Sequence, residues 1–378
     1  MFFKTFGWSL AVAIAGLLLG LLYGGGTGFA VVAILAVLEV SLSFDNAVVN
    51  ATVLVRLSPF WQKIFLTIGV AIAVFGMRLI FPLLIVGITA KLTPVEAVRL
   101  ALEKGDPHTP GTYGYLLREA HPAIAAFGGV FLLLLFLDFV FEEREITWLT
   151  PIEKALAKIG KLDQLSVVTT LVVLVVVAYT LAPDHKVSTV MVSGALGMVT
   201  YLVVNGLGEL FNVEEKQAES VEAADANGAA VSGRNGAAQV VGAVGKAAFF
   251  LFLYLEVLDA SFSFDGVIGA FAITSDPIII AIGLGIGAMF IRSLTVFLVR
   301  KGTLSEYIYL EHGALWAIGA LAVLLLITIK YEVPEVITGL IGVGFIAAAF
   351  ASSVYRNRRQ AGEPEEIELD AEPEVAKR

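Results

Sequence analysis

Ten stretches of this chain are apolar over lengths that approach or exceed what a bilayer requires, and nothing else in it restricts the fold as much. A run of about 18 or more apolar residues reads as a spanning helix. The stretches fall at about 6–23, 28–55, 62–88, 123–141, 165–182, 186–205, 245–273, 277–299, 313–330 and 334–354. Hydrophobic residues make up 58% of the chain and charged residues 16%, with a mean hydropathy of +0.86. A soluble domain is about half apolar and a quarter charged. The expected fold is therefore all-α, a polytopic helical membrane protein of about ten spans whose principal partner is the lipid bilayer.

The chain divides along these lines. Residues 1–23 form a first transmembrane helix, read as retained because no small-x-small cleavage site precedes Gly24-Gly25-Gly26. Residues 24–182 form a first repeat, and 183–211 hold the sixth span. Residues 212–244, rich in Ala, Glu and Gly, read as a flexible cytoplasmic linker. Residues 245–354 form the core of a second repeat, and 355–378 a disordered charged tail. Of the 25 Lys and Arg, 17 fall in or at the edge of connections on the side shared by the two termini, six on the other side, and Arg78 and Arg292 within spans. The positive-inside rule then puts both termini in the cytoplasm of a multi-pass cell-membrane protein. Much of the net charge of −9 sits at 214–225 and 363–375, so it describes no partner and gives no reason to expect nucleic acid. With no cysteine, disulfides and thiolate metal sites are excluded.

Within the apolar stretches one heptapeptide occurs twice. The first copy is Glu39-Val-Ser41-Leu-Ser43-Phe44-Asp45, followed by Asn46; the second is Asp259-Ala-Ser261-Phe-Ser263-Phe264-Asp265, followed by Gly266. Further pairs keep the same order: Gly69 and Arg78 echo Gly283 and Arg292, and His121 and Gly128 echo His312 and Gly319. Spans two to four thus match spans seven to nine. A unit of five spans, an odd number, enters the membrane upside down in its second copy, the inverted-repeat plan of many secondary transporters. The two heptapeptides would meet near the midplane.

An ionised carboxylate at that depth costs several kcal/mol, roughly, unless it is compensated. Glu39, Asp45, Glu256, Asp259 and Asp265 face only Arg78 and Arg292, which leaves protonation, further pairing or a bound cation. Glu256 has no counterpart in the first copy. On a regular helix Glu39, Ser43, Asn46 and Asn50 share one stripe and Asp45 lies away from it, nearer Ser41. A local break at Ser-Phe-Asp would turn both acids inward and free carbonyls for coordination. The donors are all oxygen: Glu39, Asp45, Asn46, Asp259 and Asp265, supported by Ser41, Ser43, Ser261, Ser263 and Glu256. Such hard sites suit Mn²⁺, Ca²⁺ or Mg²⁺. Arg78 and Arg292 would neutralise the acids when no substrate is bound, or form permanent structural pairs. The four histidines fall in loops or at span ends, and His121 and His312 read as helix caps. Asp138, beside Glu142 and Glu143, reads as an interfacial or vestibule charge.

At these residues the sequence resembles the TerC-like integral membrane family, and more closely a relative termed domain of unknown function 475. The matching features are Ser43-Phe44-Asp45-Asn46, the run Asp265-x-x-x-Ala270-Phe-Ala272-Ile-Thr274, the acid six residues before each aspartate and the arginine in the following span. The resemblance covers nearly the whole chain. It implies membership of the lysine-exporter superfamily and efflux of Mn²⁺ or a related divalent cation, with Asp45 and Asp265, then Glu39 and Asp259, at the site. Gly266 departs from it, standing where such proteins often carry Ser.

The expected function is export of a divalent cation by alternating access, with no permanently bound cofactor and an open oligomeric state. Export of a small organic solute such as an amino acid, or a non-transporting role in membrane assembly, are the alternatives. An enzyme is not expected: two membrane aspartates suggest an intramembrane aspartyl protease, but the Gly-x-Gly-Asp context is missing.

Overall fold

The computed structural model describes residues 2–162, 164–226, 243–301 and 306–362, with the side chains of Asp45 and Asp265 outside the described set. Among the described residues the secondary structure is helical, apart from one isolated bridge between Leu57 and Ala243. Seven segments among the described residues are long and apolar enough to cross a membrane: Thr5–Ser41, Pro59–Ile88, Tyr113–Phe141, Asp184–Leu207, Pro277–Arg300, Leu310–Ile327 and Val336–Arg359. The all-α, polytopic architecture expected from the apolar runs is what the chain adopts. Large apolar side chains such as Val168, Val172, Val176, Leu196 and Val199 are exposed on outer helices, the surface a lipid-facing bundle presents.

α1 (Phe2–Leu42) contains a reversal at Gly25, whose φ of 62° and ψ of −152° only glycine adopts without strain. A Cβ on Gly28 would lie 2.4 Å from the carbonyl oxygen of Gly20. In one straight helix those residues would be about 12 Å apart. The two arms therefore form a hairpin, and both lie on α11 (Pro277–Lys301). Gly16 meets Ile286 from the first arm, and Leu35 meets Gly283 from the second.

The second arm ends one residue before Ser43, which has φ −101° and ψ 19° and separates it from α2 (Phe44–Leu54). The first heptapeptide is thus broken where a break was expected. The second is not. It lies inside α10 (Gly245–Ile273), which is continuous. α10 packs against α6 (Tyr113–Phe141), α9 (Val187–Ala226) and the third span. A break there would strand backbone polar groups in a dry interior.

The third span is irregular. α3 (Pro59–Ile64) passes into π-helical turns at Phe65–Gly69 and Ile72–Ile80 before α4 (Phe81–Ala90). π-Turns are rare and concentrate at functional sites, and Arg78 sits in the second of these. α5 (Pro94–Leu102) folds back over α4, and α7 (Thr150–Ile159) follows α6. α8 (Leu165–Thr180) is apolar but has only 16 residues. α12 (Leu310–Ile327) packs on α6, and α13 (Glu335–Gly362) on α12. α6 is the centre of the bundle, with Phe131, Leu132 and Leu134 fully buried.

Two boundaries differ from expectation. α9 runs on to Ala226, so the first part of the segment read as a linker is helical; 227–242 lie outside the described residues. Likewise α13 carries the start of the tail to Gly362, with Arg359 in its last turn complementing the helix dipole.

Candidate functional site

The repeated acids end up in the interior, where α1, α2 and the π-helical segment meet α10 and α11. Glu39 and Arg78, each about 4% exposed at the side chain, form a buried ion pair. Arg78 also donates from Nη1 to the carbonyl of Ala73 (2.6 Å), inside its own loosened helix. In the second half Arg292 donates to Asp259 Oδ2 at 3.2 Å and lies 3.6 Å from Glu256 Oε1. The ring of Phe65 lies 3.8 Å under its guanidinium, a cation–π contact.

The two halves join through reciprocal contacts. Asn46 of the first half donates to Asp259 Oδ1 of the second at 2.8 Å, and Asn50, one turn on, lies 3.5 Å from the same oxygen. Gly266 is the counterpart of Asn46, and Glu39 that of Asp259. A Cβ on Gly266 would lie 3.0 Å from Glu39 Oε2. The equivalent positions thus meet in both directions, as they do across a two-fold interface. The glycine that departs from the resemblance lies close against the Glu39 carboxylate, which a side chain there would crowd. Other glycines admit the charges in the same way. A Cβ on Gly287 would come within 2.4 Å of Glu39 Cβ and Cγ, and one on Gly69 within 2.6 Å of Glu256 Oε1.

Several expected ligands are not brought to this cluster. Ser41 is exposed and donates to the carbonyl of Val37 in its own helix, at 2.7 Å. Ser261 does the same to Val257 at 3.0 Å and packs against Gly128 of α6. Ser43 is half-buried at the break, and Ser263 is buried. Both Glu39 and Asp259 are already matched by an arginine. Among the described side chains no group of three or more Asp, Glu or His is placed to hold a metal ion. Asp45 and Asp265 lie outside that set; their backbones fall in α2 and α10.

A family model described as a protein of unknown function (DUF475) matches residues 44–360. The chain belongs to the DUF475 family. No curated protein and no solved structure matches it. The match takes in Asn46, Asn50, Arg78, Glu256, Asp259 and Arg292 and begins after Glu39.

This DUF475 protein has a second buried polar cluster, which inspection of the sequence misses. Glu153 of α7 accepts from the backbone N–H of Trp148 (3.0 Å) and Leu149 (3.3 Å) and from Trp316 Nε1 (3.0 Å), and lies 3.2 Å from His312 Nδ1. Burial alone would raise its pKa, but Trp316, His312 and the Leu149 N–H outweigh it and hold the carboxyl below the ordinary value of 4.5. His312, read as a helix cap, instead fastens α7 to α12. His121 lies 3.4 Å from Thr328 Oγ1, and Asp138 accepts from Tyr201 Oη at 2.6 Å. The sequence gives no signal for Glu153, because its side-chain partners, His312 and Trp316, lie about 160 residues away on another span.

Proposed function

We propose that this protein is a membrane transporter that exports a divalent metal cation, Mn²⁺ or a similar ion, by alternating access through the carboxylate cluster between its halves. The observation that carries the reading is the reciprocal join of Glu39 with Gly266 and of Asn46 with Asp259. It supports two inverted halves whose acids share one buried interface. That interface is lined by Gly69, Gly266, Gly283 and Gly287. Small residues let helices approach closely and leave little side-chain interlock to resist sliding.

The charge balance favours a cation as cargo. Arg78 and Arg292 compensate Glu39 and Asp259, and Glu256 shares Arg292 at a longer distance. Asp45 and Asp265 add two further acids in the same helices. In the resting arrangement the arginines hold two acids neutral as pairs. A divalent ion entering among Asp45, Asp265 and their neighbours would balance what remains and release an arginine from its partner. Both termini and the longer connections would face the cytoplasm, where the basic residues concentrate.

A second reading, export of an organic anion or amino acid, draws on a different observation. Arg78 Nε and Arg292 Nη1 are buried without a hydrogen-bond partner among the described residues, and such N–H groups suit a substrate carboxylate.

Growth of an efflux-deficient host in Mn²⁺ tests the leading reading. The parent chain should restore growth, and Asp45→Asn or Asp265→Asn should not. Failure of the parent to protect against Mn²⁺, Ca²⁺ or Mg²⁺ while present in the membrane would overturn it.

A further inference from the structure

α5 lies across one end of the bundle, above a cavity of about 60 Å³. That volume is enough for a few waters. Arg78 lies on the inner side, Val267 and Phe271 of α10 on the flank, and Val98, Ala101 and Leu102 of α5 on the outer side. The cavity therefore runs from beneath α5 to the arginine that holds Glu39.

The build of α5 is that of a separate, hinged piece. Left-handed residues bound it at both ends, Lys91 with φ 55° and Lys104 with φ 53°. Its first turn closes on itself through a capping box between Thr93 and Glu96, so it needs no neighbour to complete its N-terminus. It rests on α4 through small residues, with Gly87 facing Ala97.

Its far end is tied to other elements. Lys104 Nζ lies 2.7 Å from Asp276 Oδ2, in the turn between α10 and α11, and 4.9 Å from the centre of the Tyr23 ring at the α1 hairpin. Ser275 Oγ donates to the Lys104 carbonyl at 3.2 Å. Asp276 uses its other oxygen, Oδ1, to cap α11 through the N–H of Ile278 at 3.0 Å. The tie thus crosses from the first half of the chain to the second, next to Pro277 and Ile278, which line the cavity.

We infer that α5 is a lid over the route to Arg78 and Glu39, latched shut by Lys104 on Asp276. This rests on the transport reading for its purpose, since a lid is of use only if something passes beneath it. Its geometry stands apart from that reading. When the latch opens, the flanking left-handed residues take up the rotation and the cavity opens wider to the solvent at that end of the bundle.

The chain has no cysteine, so a single Val267→Cys reports access to the cavity. Val267 is 1% exposed. The measurement is the rate at which a charged maleimide modifies the purified full-length protein. Lys104→Gln and Asp276→Asn each remove the ion pair, and Asn keeps an oxygen to cap α11. Each should speed labelling about two- to fivefold, the factor an exposed ion pair supplies. The double variant should show no further gain. Arg118→Gln, which breaks the Arg118–Glu332 pair elsewhere in the structure, should leave the rate unchanged. Flat labelling in both latch variants, with folding intact by thermal unfolding, overturns the lid even if the parent moves cations. Faster labelling in a protein that moves no ion keeps the lid and overturns the transport reading.

Discussion

Removing the Glu39 charge separates what the buried pair does for folding from what it does for transport. Glu39 and Arg78 are each about 4% exposed at the side chain, so Glu39→Gln strands a guanidinium in the interior. Among the described residues, the hydrogen bond that remains to it is Arg78 Nη1 to the Ala73 carbonyl. Breaking a buried pair from one side costs about 3–5 kcal/mol, whereas replacing both members by apolar groups is often close to neutral. Glu39→Gln should therefore lower the unfolding temperature of the purified protein markedly, and Glu39→Leu with Arg78→Met should recover most of the loss. The assay is thermal unfolding followed by the fluorescence of the four tryptophans, with cation flux measured on the same variants. The double variant should fold and yet move no cation. Equal unfolding temperatures for single and double variants would refute the buried-pair argument. A double variant with parental flux would remove Glu39 from the transport site.

Four further outcomes follow from the geometry. Gly287→Ala should destabilise by about 1–3 kcal/mol through overpacking, because the new Cβ meets Glu39 at 2.4 Å; Gly344→Ala, with nothing within 4 Å, should be neutral or stabilising in the same unfolding assay. Asn46→Ala removes a buried donor to Asp259 and should cost about 1–3 kcal/mol, read by thermal unfolding beside Asn50→Ala, whose longer contact predicts a smaller loss. Glu153→Gln should destabilise at neutral pH. Because the native carboxyl titrates below 4.5, its contribution is present above that value and lost as pH falls through the native one, so the gap to the parent should close in acid. Thr93→Ala removes the α5 cap at about 1 kcal/mol, and should speed hydrogen exchange in α5 about fivefold while leaving α6 unchanged.

The helices were legible because apolar runs of this length have few other uses. The acids were legible because lipid makes each of them costly. The association of the first acid of each heptapeptide with the arginine of the next span was visible as a repeated spacing, and the structure pairs Glu39 with Arg78 and Asp259 with Arg292. What escaped the sequence was contact between distant segments. Nothing in the run 62–88 distinguishes π-turns from regular helix, since both bury an apolar stripe. The helical stripe of Asn46 and Asn50 was apparent, but not that it faces Asp259. Ser41 and Ser261 share the motif with the acids yet return their hydroxyls to the preceding turn, the local bond always open to a serine in a helix. Gly266, standing where such proteins often carry Ser, lies close against Glu39.

The paired arginines raise the question of whether the cluster is merely a finished piece of structure. A finished ion pair has each charge met once and each polar atom bonded. This cluster does not meet that description. Arg292 is shared by two carboxylates, at 3.2 Å from Asp259 and 3.6 Å from Glu256. Both oxygens of Glu256 lack a hydrogen bond among the described residues, as do Arg292 Nη1, Arg78 Nε and Asn50 Oδ1. Buried polar atoms are left in that state at a cost of about 1–3 kcal/mol each, and a static core would shed them by substitution. Three described carboxylates face two guanidiniums before Asp45 and Asp265 are counted. On the proposed reading, the shortage of positive charge and the unbonded Glu256 oxygens suit a cation, whereas the unbonded N–H groups of Arg78 and Arg292 suit an anionic group. Because Asn46 reaches Asp259 while Glu39 lies against Gly266, a shift of one half relative to the other changes both acids at once. Under the proposed transport reading, that coupling would make the two acids change exposure together.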